Sequence, residues 1–176
     1  MAFYDNSLLL SNAQSLVGAA TTVISTNTYD ITGAGSGNAP SMVWGTTTFA
    51  AADVMVGRTM YAYFTVTTAF SATTALTVRI QAAPPATGNV PGTWRTIYQS
   101  QAFTGATDLA VAQQLVVPVP PVAMIGDYLP RFYRFTYNNT SAATFSAGAF
   151  TAGILLDAPT GMVSTLYPNN FVSANP

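Results

Sequence analysis

The sequence predicts an all-β chain: an antiparallel β-sandwich, a jelly roll of about eight strands, with extended N- and C-terminal arms. Three observations predict it. Val, Thr and aromatic residues recur in short alternating runs, Gly, Pro, Asn and Ser separate those runs, and the helix formers Lys and Glu are absent from all 176 residues. At this length a single domain, residues 1–176, buries roughly 70% of the surface its unfolded chain exposes and folds without staples. Its parts are an N-terminal arm (1–20), a sandwich (21–157) and a C-terminal tail (158–176).

The strands are read in chain order. Residues 22–32 form a first strand and 41–49 a weaker one. In "RTMYAYFTVTT" (58–68), Met60, Ala62, Phe64 and Val66 share one face, and Tyr61, Tyr63, Thr65 and Thr67 share the other. Residues 74–82 repeat the pattern with Leu76, Val78 and Ile80 against Thr77, Arg79 and Gln81, and the short "AFSAT" between them predicts a hairpin. "APPATGNVPG" (83–92) cannot continue a ladder, because its prolines lack an N–H and its glycines weaken extension, so it is a loop.

"TWRTIYQSQAF" resumes a strand after that loop. "QQLVVPVPP" (113–121) begins extended, and Pro118 confines it to a sheet edge or a strand end. "RFYRFTY" (131–137) and "ATFSAGAFTAGILLD" (143–157), joined through "NNTSA", predict a closing hairpin whose second strand Gly148 and Gly153 soften. Gly33, Gly35 and Gly37 in "TGAGSGNAP" predict a long surface loop rather than a domain boundary. No fixed-period repeat points to a solenoid or propeller.

Charge excludes several functions. Only 6% of residues are charged, where soluble domains average roughly 25%. The cations are Arg58, Arg79, Arg95, Arg131 and Arg134, and the anions are Asp5, Asp30, Asp53, Asp108, Asp127 and Asp157, scattered to a net charge of -1. Such a chain offers no basic cluster for nucleic acid or an anionic membrane. No apolar stretch reaches the roughly 20 residues a membrane helix needs, and "MAFYDNS" lacks the basic start of a secretory signal.

The residues for common catalytic chemistry are missing. With no Cys or His, a Ser-His-Asp triad, a thiolate nucleophile and a histidine zinc site are excluded, and no cofactor is expected. A glycosidase would need two converging Asp, and the six isolated ones read as turn formers. "TGAGSGN" has neither the glycine spacing nor the Lys of a phosphate loop, and the sequons at 138–141 read as a hairpin turn. Arg131 and Arg134, three apart on a strand, point to opposite faces. One is expected to pair with an Asp or a partner and the other to cover aromatic surface, while Tyr133, Phe135 and Tyr137 face the core.

Three stretches carry a likeness. "LLLSNAQSL", "STNTYDITGAG" and "RFYRFTYNNTSAATFSAGAFTAGILLDAP" together resemble the capsid cement, or decoration, protein family of tailed bacteriophages, over the first 35 and last 45 or so residues. That family shows a Ser-Asp/Asn-Ala-Gln stretch, a Ser-Thr-Asn run leading to an Asp before a glycine loop, and an arginine-aromatic strand before a small-residue strand ending in Asp. Here Asn12 stands where Asp is common, and the family's charged residues are largely missing. The resemblance implies a non-enzymatic jelly roll on the outer surface of the virion head. It would self-associate as a homodimer or homotrimer and bridge neighbouring major capsid proteins, after synthesis in the bacterial cytoplasm.

Sheet edges with so few charges to protect them agree with burial against neighbours. On this reading Phe3, Tyr4, Leu8, Leu9 and Leu10 in the N-terminal arm and Tyr167 and Phe171 in the tail contact partner subunits, because termini fray unless tied down. The competing arrangement packs Leu8 and Leu10 on their own sheet. A different function, a carbohydrate-binding jelly roll of a virion spike or fibre, would use Trp44, Trp94 and Tyr98 as stacking platforms.

Overall fold

The computed structural model describes residues 8–18, 21–30, 60–87, 90–105, 107–119, 130–141 and 143–155. They are nearly all β: β1 (Leu9–Ser15), β2 (Thr22–Ile24), β3 (Tyr29–Asp30), β4 (Met60–Thr68), β5 (Ala75–Ala83), β6 (Pro85–Ala86), β7 (Val90–Pro91), β8 (Arg95–Gln99), β9 (Phe103–Thr104), β10 (Gln114–Val119), β11 (Phe132–Asn139) and β12 (Ala149–Leu155). One sheet has the order β1-β12-β4-β10. The other runs β2-β11-β5-β8, with β3 also on β11 and β9 also on β5. Every pairing between described strands is antiparallel.

The alternation read from the sequence decides which faces meet. Met60, Ala62, Phe64 and Val66 of β4 are buried, as are Leu76, Val78 and Ile80 of β5 and Tyr133, Phe135 and Tyr137 of β11. They join one hydrophobic core fed by both sheets. Phe64 meets Phe135 at 4.7 Å between ring centroids, and Tyr137 stacks on Phe150 at 5.2 Å, so aromatic pairs from opposite sheets supply directional contact beyond area burial.

Both predicted hairpins are overturned. β4 and β5 lie in different sheets, and so do β11 and β12. Alternation shows which face of a strand is buried, but not which strand lies beside it. The connections differ from hairpin turns in carrying a buried aromatic, Phe70 in one and Phe145 in the other, and the two rings touch at 6.1 Å. Each connection therefore arches across the core. At the second arch Gly148 adopts φ +120°, and a Cβ there would stand 2.3 Å from the Phe70 ring, so only glycine admits that ring.

Other expectations meet the structure piecemeal. Residues 22–32 give two short strands, β2 and β3, both on β11. The loop 83–92 holds a small β6–β7 ladder in which Pro85 faces Pro91. β10 is an edge strand with Pro118 inside it, as its proline requires. Residues 9–15, assigned to the N-terminal arm, instead form β1 against β12. The strand expected at 41–49, the glycine loop after Asp30 and the C-terminal tail lie outside the described residues.

Candidate partner interface

The stretches that carry the family likeness come together on one side of the molecule. Strand β1 contains "SNAQ", and its pairing to β12 shifts register twice. Ala13 takes φ 45° there, and its amide donates to Thr151 Oγ1 at 3.0 Å. The irregular backbone frees Gln14 to reach across to the other sheet. Its Nε2 donates to the Ile24 carbonyl at 2.6 Å, and its Oε1 accepts from the Thr26 amide at 2.9 Å and from Ser11 Oγ at 2.7 Å.

The "STN" run answers from the β2–β3 connection. The Asn27 amide donates to the Leu10 carbonyl at 2.9 Å and its Nδ2 to the Leu9 carbonyl at 3.0 Å. Ser25 exchanges bonds with Phe135: its amide donates to the Phe135 carbonyl at 2.9 Å, and its Oγ accepts from the Phe135 amide at 3.0 Å. Ser11, fully buried, shares a 2.8 Å hydrogen bond with the Tyr137 hydroxyl. Burial pushes the Tyr137 hydroxyl's pKa up, and the bond from Ser11 only partly offsets this. These polar residues fasten one sheet to the other.

Asp30 closes the same side. Arg131 Nε and Nη2 donate to its two carboxylate oxygens at 2.8 and 2.9 Å, a bidentate pair in which the Asp30 side chain is 0% and that of Arg131 12% exposed. The pairing raises the Arg131 pKa, chiefly through the hydrogen bond. Arg134 stacks over Trp94 with its guanidinium carbon 4.2 Å from the ring centroid, and donates to Gln81 Oε1 at 2.8 Å. Desolvation lowers its pKa. Both guanidinium groups thus lie over a ring, Arg131 also over that of Phe132 at 4.9 Å, and of the two Arg131 is the one that pairs with Asp30.

Among the described residues, the opposite side stays open. The edge strands β10 and β8 end their sheets there, and a cavity of about 130 Å³ lies between the sheets. Phe64 and Val66 of β4, Val78 of β5 and Phe150 of β12 line it together with Phe103, Leu109 and Leu115. Thr107, Asp108, Gln113 and Gln114 complete the lining, and the first three are exposed. Asp108 Oδ2 accepts from the Thr104 amide at 2.8 Å, holding its loop beside β9. The space is far below the roughly 300 Å³ at which small-molecule pockets begin and close to the roughly 150 Å³ of a cavity that holds benzene.

Of the residues expected to meet partners, Leu8 and Leu10 are 7% and 1% exposed and belong to the chain's own core. The competing arrangement is the one found, because alternation along β1 turns them inward. Leu9, between them, is half-buried. Phe3, Tyr4, Tyr167, Phe171 and Trp44 lie outside the described residues. Of the possible sugar platforms, Trp94 has one face taken by Arg134, and Tyr98 packs against the core with its pKa raised by burial. Asp30 and Asp108 have the structural partners given above. Among the described residues no three His, Cys, Asp or Glu are grouped to hold a metal.

Pro118 placed this strand at an edge or strand end, and the sequence reading missed only the cavity beside it. No family model and no curated protein matches the chain.

Proposed function

We propose that this chain is a jelly-roll decoration protein of a phage head, which binds the outer surface of the capsid and bridges neighbouring capsid subunits without chemistry of its own. One observation carries the reading. The three stretches that resemble the cement family, distant in sequence, form a single bonded unit through Gln14, Ser25, Asn27, Asp30 and Arg131. The strand order supports the jelly-roll assignment. With β2 and β3 counted as one broken strand and β8 and β9 as another, eight strands fall into two sheets of four. The chain changes sheet at each connection except the one from β5 to β8, as two Greek keys require.

The mechanism is mechanical. A clamp that binds only the assembled shell lowers that shell's free energy, and repeated weak contacts around a closed lattice add through multivalency. Phe3, Tyr4, Leu9, Tyr167 and Phe171 remain the proposed contacts, in a homodimer or homotrimer on the head. A truncation that tests the arm stops at Ser7, since removing Leu8 and Leu10 would open the core. The decisive experiment mixes purified protein with undecorated heads. Co-sedimentation and a higher rupture temperature are expected, and heads that neither retain the protein nor gain stability would reject the reading.

A further inference from the structure

Strand β10 and the cavity beside it make one site. The backbone phase of β10 follows from the bulge before it, where the Val66 amide donates to the Gln113 carbonyl and the Ala112 amide to the Val66 carbonyl, both at 2.9 Å. Bonded and non-bonded pairs alternate along an antiparallel ladder. Leu115, Val117 and Val119 therefore turn their backbones toward β4, while Gln114, Val116 and Pro118 turn theirs outward. No described residue pairs with that outward row, which offers the amides of Gln114 and Val116 and three carbonyls. The strand carries no Lys and no charge to keep another strand away.

We infer that this edge takes an extended strand of a partner protein, which lengthens the sheet through β10 and places one apolar side chain, of Phe or Leu size, in the neighbouring cavity. Main-chain bonds along an open edge supply affinity, and a pocket for one side chain supplies register. The volume, about 130 Å³, matches a single ring rather than a sugar or nucleotide. Asp108 is the ionisable side chain among the described lining residues, and it is exposed. The complementary segment therefore carries Arg or Lys beside its apolar anchor. The strand site stands on this geometry alone; naming the partner as a chain of the capsid shell rests on the reading above.

The test has two arms. In the first, the isotope-labelled full chain is titrated with the peptide Ac-Ser-Val-Arg-Phe-Thr-Val-Ser-NH2 and followed by NMR. Shifts confined to β10 and the cavity residues are expected. Val116→Pro, which removes an outward amide and leaves the bonds to β4 intact, should weaken binding by at least about tenfold with an unchanged melting temperature. Asp108→Asn should weaken it less, by about threefold. No shifts at millimolar peptide, or equal binding by Val116→Pro, would overturn the site.

The second arm measures occupancy on undecorated heads. Loss of occupancy in Val116→Pro supports the inference. Normal occupancy overturns the capsid shell as the partner of this edge and leaves the capsid reading standing. Failure of the unaltered protein to bind heads rejects the capsid reading, and the peptide then decides the strand site independently.

Discussion

The two sides of this molecule solve the problem of sheet edges in opposite ways. On one, β1 and the β2–β3 segment would each expose a row of backbone groups, but Gln14 and Asn27 consume several of those groups internally and tie sheet to sheet, while Ser25 fastens the segment to β11. On the other, among the described residues, β10 and β8 end their sheets without such side chains, and a cavity lies between the sheets beside them. A chain with so few charges cannot repel neighbours from every edge. Covering one side with its own polar residues concentrates whatever pairing tendency remains on the other. On the inference above, the closed side sets fold stability, and substitution on the open side is expected to change association more than folding.

The largest effect expected from breaking this asymmetry is at the buried ion pair. Asp30→Ala leaves the Arg131 guanidinium facing an emptied site, and loss of one member of a buried pair costs about 3–5 kcal/mol. Arg131 retains 12% side-chain exposure, which places the expected loss near the lower end, about 3 kcal/mol. Chemical denaturation measures it. The double variant Asp30→Ala/Arg131→Met should recover part of the loss, because the second change also removes the guanidinium that faced Asp30. A loss below about 1 kcal/mol, the scale of an exposed pair, would show that the pair does not anchor the closed side.

A smaller effect is expected at Gln14, whose amide group joins the two sheets without a charge. Gln14→Ala removes three hydrogen bonds and should cost about 1–2 kcal/mol, since the exposed Ile24 carbonyl and Thr26 amide rehydrate and the buried Ser11 hydroxyl keeps its bond with Tyr137. The signature separates this from general weakening: hydrogen-exchange protection should fall first in β1 and at Thr26 and Asn27, with β4 and β5 unchanged. Loss spread evenly over both sheets would mean that the closed side is not a distinct unit.

How much of this was legible in the sequence depends on the range of the signal. Alternation is local, so the buried faces of β4, β5 and β11 could be read directly, and so could the Asp partner of one arginine and the ring under the other, though Arg131 also lies over Phe132. Strand neighbours are set by long-range pairing, and short connections alone pointed to hairpins. The contrary signal was present in Phe70 and Phe145, large apolar residues in the middle of segments that would otherwise be polar turns, and an aromatic there marks a chain crossing a core. The polar fastening of β1 was legible only as a likeness of motifs. Nothing local distinguishes a Gln that spans two sheets from one that faces water. The cavity has no sequence signature, because it arises from how Phe64, Phe103 and Leu115 fail to fill the space between sheets.

The open side offers the smallest change and the opposite sign. Ala112 sits at φ 68° in the bulge that starts β10, where its amide and the Gln113 carbonyl both bond to Val66. In this type of bulge the first residue occupies the left-handed region and glycine is preferred, because a Cβ there is crowded. Ala112→Gly relieves about 1 kcal/mol of that strain, while the freer unfolded chain takes back part of it, so a net gain of about 0.5 kcal/mol is expected by chemical denaturation. Ala112 is exposed, so no packing is lost to mask the result. The same substitution leaves the phase of β10 and its outward amides unchanged, so peptide binding should stay within about twofold of the unaltered chain. If Ala112→Gly instead destabilised the fold or weakened the peptide, the bulge would have to be fixing the edge through its side chain, and the independence of folding and association on the open side would be lost.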